Sequence, residues 1–128
     1  MKNKTLLGIV FLCAALFSAA GCGDKDEKVK NGVMYFTRAL QEVNANPLSR
    51  GTYQNLMARE GATVMDYLKY VTPKNDPMLQ LLEYGKPKHP YSVVVREGTD
   101  PGEYFVTGFG ANLKEPISTN TVTIKEAE

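Results

Sequence analysis

Apolar positions recur at two different periods along this chain, and the change of period divides it. Val29, Val33, Phe36, Leu40 and Val43 follow one another at intervals of 4, 3, 4 and 3. That spacing places them on one face of an α-helix. Lys30, Arg38, Gln41 and Glu42 fall off the stripe, and Asn44-Ala45-Asn46-Pro47 ends it. Upstream, Asp24 and Glu27 offer a capping arrangement, with Gly32 as an alternative helix start. A second predicted helix runs from near Thr52 to Arg59, with Tyr53, Leu56 and Met57 inward and Gly61 as its stop. Thr63-Val64-Met65-Asp66 has the form of a capping box for a third, carrying Val64, Tyr67, Leu68 and Val71. Asp76-Pro77, a cap followed by proline, starts a fourth that ends by Gly85 and Pro87. Helices this short need another layer to lean on.

After His89-Pro90 the period shortens to two. Tyr91 to Arg96 and Glu103 to Phe109 are rich in β-branched and aromatic residues, with turn formers between them from Glu97 to Gly102. A third alternating stretch, Thr119 to Ile124, puts Val122 and Ile124 on one face. Gly108-Phe109-Gly110 follows no strand-to-helix turn, so it reads as a strand end or bulge. Helices first and strands afterwards predict an α+β fold, with N-terminal short helices packed on one face of a C-terminal antiparallel sheet of about three strands.

The start of the chain follows neither pattern. Lys2 and Lys4 precede an apolar run from Leu6 to Phe17, which closes in Ser18-Ala19-Ala20-Gly21-Cys22. The 15 residues from Leu6 to Ala20 carry no charge. A spanning helix needs about 20 residues, so the run fits a cleaved export signal better than a membrane anchor. Ala19-Ala20-Gly21-Cys22 resembles the lipobox of bacterial lipoprotein precursors, although Ala19 stands where that family usually has leucine. The resemblance covers residues 1–22 and implies cleavage before Cys22, with diacylglycerol on its sulfur and acylation of its amine. It also implies that Gly23, in the place where aspartate favours retention in the inner membrane, favours the outer one. Each buried CH₂ contributes about 0.8 kcal/mol, so two or more chains anchor stably where one does not. The expected organisation is a signal over 1–21, a short charged tether over 22–28 and one domain over 29–128. Cys13 leaves with the signal, and lipidation accounts for Cys22, since a lone exported thiol is unusual.

Composition narrows the partners. Without Lys2 and Lys4 the chain has thirteen basic against fourteen acidic side chains, a net charge of −1. That argues against nucleic acid and against electrostatic recruitment to anionic lipid. No chemistry-bearing constellation stands out, and neither a cofactor nor a metal is expected. His89 is the only histidine and has no ligand companions, so it reads as a turn residue. Asp66, Asp76 and Asp100 occupy cap or turn positions. Tyr67, Tyr70, Tyr84, Tyr91 and Tyr104 form the candidate interaction set, because tyrosine is enriched at interfaces. Half-buried packing at the helix–sheet junction is the favoured account of the same five. An unpartnered sheet edge is a second candidate surface, open to strand addition. The expectation is a non-enzymatic envelope lipoprotein, held to the bilayer through Cys22, that serves an envelope protein partner as interaction or scaffold accessory. A small-ligand, peptide or glycan binder with a tyrosine-lined groove is the alternative. An enzyme with a carboxylate pair ranks third.

Overall fold

The computed structural model describes residues 17–125, with side chains from residue 24 onward. The apolar run up to residue 16 and the side chain of Cys22 lie outside the described residues. Among the described residues the fold is α+β, with three helices in the N-terminal half and a sheet at the C-terminal end. Helix α1 spans Phe17–Ala45, α2 Pro47–Met57 and α3 Val64–Val71. A 3₁₀ segment, Pro77–Leu81, leads into strands β1 (Leu82–Tyr84), β2 (Ser92–Glu97), β3 (Glu103–Phe109) and β4 (Pro116–Thr123). Among the described residues no helix is long and apolar enough to cross a membrane.

The helical stripe is the spine of the core: Val29, Val33, Phe36, Leu40 and Val43 are all fully buried. Residues 22–28, expected as a tether, are helical and belong to α1. Asp24 with Lys28, and Asp26 with Lys30, stand four apart in the favourable acid-first order. This first stretch already packs, with Lys25 Nζ 5.2 Å from the centre of the Tyr91 ring. Helix α2 starts earlier than its apolar pattern suggests, because Asn46 serves both neighbours. Its N–H bonds Glu42 at 2.8 Å to close α1, and its Oδ1 accepts from Leu48 N at 2.9 Å to open α2. Asp66 Oδ2 accepts from Thr63 N at 2.8 Å and fixes the start of α3, which buries Val64, Tyr67 and Leu68. Val71 lies beyond the core and is exposed.

The sheet has four strands, not about three, and it is mixed. Its order is β1-β2-β3-β4, with β1 parallel to β2 and the other pairs antiparallel. The fourth expected helix is cut short at its 3₁₀ turn because Leu82–Tyr84 pairs with Val93–Val95 instead. Backbone pairing with a buried strand outweighs the weak helical preference of five residues. Strand β4 begins at Pro116, before the expected Thr119, and the pairing register shifts at Gly108/Phe109, where a strand end or bulge is expected. Gly108 also sets how closely α1 approaches the sheet. A Cβ there would stand 2.6 Å from Val29 Cγ1 and 2.8 Å from Val33 Cγ2.

Alternation gives the sheet two different faces. Val93, Val95, Tyr104, Val106 and Val122 join the helices in the core. The register places Val94 beside Thr107, and Arg96 beside Phe105, on the opposite face. Thr119 and Thr121 of β4 continue those two rows.

Candidate functional site

The outer sheet face gathers residues that the strand pattern places together. Val94 is buried, Phe105 and Phe109 are half-buried, and Arg96, Thr119 and Thr121 are exposed. Between the strand surface and the turn after β1 lies a hollow of about 230 Å³, with Pro87, Val94, Phe105 and Phe109 among its apolar walls. Thr107 and Thr119 also line it, and among the described residues Arg96 is the one charged residue in its lining. The Arg96 guanidinium carbon stands 4.8 Å from the Phe105 ring centre, a cation–π distance that lays the cation against the face. Among the described residues the one ion pair within 4.0 Å is Glu83 with His89, so no carboxylate pairs with Arg96. Strand β4 closes the sheet order, and no strand lies on its far side among the described residues.

The turn bordering the hollow is held by Glu83. Its Oε1 accepts from Lys88 N at 2.6 Å, and its Oε2 lies 2.7 Å from His89 Nδ1. Burial alone would raise the Glu83 carboxyl; the Lys88 N–H and the His89 ring outweigh it and hold the group below its usual range. His89 is thus a turn residue, 77% exposed, with a structural partner. Three other acids have similar work, Asp66 among them. Asp76 Oδ1 accepts from Met78 N at 2.9 Å, and Glu103 Oε1 accepts from Thr99 N at 2.8 Å. Among the described residues no three His, Cys, Asp or Glu side chains converge as a metal cage.

The five candidate tyrosines do not share one surface. Tyr67 and Tyr104 are buried in the core, Tyr84 and Tyr91 are half-buried, and Tyr70 alone is exposed. Tyr53, outside the candidate set, links two of them. Its ring meets Tyr67 edge-on at 5.4 Å, and its hydroxyl lies 2.7 Å from that of Tyr104. Burial, followed by the bond to Tyr53, pushes the Tyr104 hydroxyl far above its ordinary value. Tyr84 donates to Glu97 Oε2 at 3.1 Å, and burial followed by that bond raises it as well. Tyr91 sits by Gly110, whose carbonyl accepts from its N–H at 3.0 Å, with a φ of 58°. Tyr70 borders a separate hollow between α2 and α3, beside Leu56 and Arg59.

Arg96, Phe105 and Phe109 escaped the sequence reading. Their signal was present: Glu103-Tyr-Phe-Val-Thr-Gly-Phe109 has apolar residues at both odd and even positions. A strand with one dry and one wet face shows them at only one. Comparison with protein-family models, with curated proteins and with solved structures finds no match.

Proposed function

We propose that this chain is a bacterial envelope lipoprotein, anchored through acylated Cys22, that works as a non-catalytic interaction module. One observation carries the interaction reading: the helices pack against one face of the sheet, leaving Arg96, Phe105, Phe109 and the β4 threonines outside the helical layer. A sheet face with half-buried aromatic rings, next to an unpaired edge, suits a polypeptide partner. The carboxylates of Asp66, Asp76, Glu83 and Glu103 are engaged with backbone N–H groups, which favours structural roles for them. The anchoring half of the proposal rests on the order of charges, apolar run and small residues before Cys22 and on the lipobox resemblance, by which Gly23 favours the outer membrane.

Photo-crosslinking in intact cells tests both halves. A photoreactive residue at Thr121 should capture a protein partner, whereas one at exposed Lys74 should not. Intact mass should show acyl groups on the mature chain, and Cys22→Ala should leave the membrane fraction. A free thiol on a chain beginning elsewhere defeats the anchor; equal capture at both positions, or none, defeats the interaction reading.

A further inference from the structure

The geometry points to a specific occupant for the outer-face hollow: a segment of a partner polypeptide in which an apolar side chain stands next to a carboxylate. This inference rests on the interaction reading above and supplies its chemistry. The hollow, at about 230 Å³, has room for one large side chain, and its floor of Val94, Phe105 and Phe109 is apolar. Its charge has one sign. Arg96 is the only charged residue lining it, is held against Phe105, and has no carboxylate within 4.0 Å among the described residues. Glu83, the acid on the same face of neighbouring β1, is turned into Lys88 and His89 and is not offered to the hollow. The bordering turn adds exposed Lys86 and Lys88.

A guanidinium already held over a ring loses little freedom when a carboxylate arrives, and its planar fork matches a carboxylate with two parallel hydrogen bonds. An apolar side chain fills the hollow while the neighbouring carboxylate meets Arg96. A peptide suits the site better than a free acyl acid because Thr107 and Thr119 belong to the same lining, and β4 beside it has no further strand on its outer edge among the described residues.

The test uses the full chain in nanodiscs and a photoreactive dipeptide, N-acetyl-benzoylphenylalanyl-aspartyl amide. Its asparaginyl counterpart serves as the neutral control. Labelling by the acidic probe should map to peptides spanning residues 94–119 and fall at least fivefold with the neutral probe. Arg96→Gln should erase the difference between probes while keeping a single cooperative thermal melt, since Arg96 is exposed. Excess N-acetyl-phenylalanyl-aspartyl amide should compete, and octanoate should not. Equal labelling by both probes, labelling elsewhere, or competition by octanoate alone overturns the proposal. Capture of a partner at Thr121 in cells, with no dipeptide labelling, would sink this occupant and leave the interaction reading standing. Dipeptide labelling without any cellular partner would do the reverse.

Discussion

Ser92 Oγ is buried on the outer side of β2 and has no hydrogen-bond partner among the described residues. A buried hydroxyl with no protein partner bears a desolvation cost without a compensating bond, so its removal should help. Ser92→Ala is expected to stabilise the fold by about 1 kcal/mol, seen as a rise of several degrees in Tm for a domain this size. The Tyr53–Tyr104 hydroxyl pair makes the opposite case. Tyr53→Phe leaves the Tyr104 hydroxyl without its 2.7 Å partner and should cost about 1 kcal/mol. Adding Tyr104→Phe should recover part of that loss, and chemical denaturation of both single variants and the double one measures the coupling. Strict additivity would show that the two hydroxyls do not act as a pair.

At the scale of elements, Gly108 and Gly51 make a matched contrast. Ala at Gly108 drives a methyl into Val29 and Val33 at the contact of α1 with β3, an overpacking expected to cost about 1–3 kcal/mol. Ala at Gly51, inside α2 with open space around it, should stabilise by about 0.5–1 kcal/mol on helix propensity alone. Parallel urea melts of the two variants decide the comparison. The turn after β1 depends on pH through Glu83. Its carboxyl is held below its ordinary 4.5 in the folded chain, so the stabilisation is present above that value. It is lost as pH falls through the lower folded value. Glu83→Gln should therefore flatten the loss of stability between about pH 5 and pH 3, as followed by acid-dependent thermal melts.

These elements differ in how plainly the chain spells them. The α1 stripe was legible because every inward position obeys one period, and the Thr63/Asp66 cap was legible because its spacing is diagnostic. The start of α2 was obscured by Asn46-Pro47, which closes one helix and opens the next, and by Gly51 in the new helix's interior. Strand β1 had no local signal: three residues after a 3₁₀ turn become a strand only because β2 lies alongside. The outer face was hidden for a related reason. Phe105 and Phe109 gain their meaning from Arg96 and Pro87, which other parts of the chain bring next to them.

Over the whole molecule, residues far apart in sequence are clasped at one corner. Asn44 Nδ2 donates to the Thr123 carbonyl at 2.8 Å, and Asn44 Oδ1 accepts from Lys125 N at 2.8 Å, tying the end of α1 to the end of the sheet. Asn44→Ala removes both bonds at an exposed site and should cost about 1–2 kcal/mol, with faster amide exchange in the last residues of β4. At the other end of α1 the matter is mechanical. If acyl chains are attached at residue 22, no hinge separates them from the sheet, because the helix runs unbroken from there into the core. The anchor then acts as a stiff strut, and the heading of the outer face relative to the bilayer is set by helical phase. One residue inserted after Gly23 would swing that face by about 100°, whereas a seven-residue insert of helix-forming sequence, close to two full turns, would nearly restore it. Capture of a membrane-embedded partner would then rise and fall with the phase of the insert, not simply with its length.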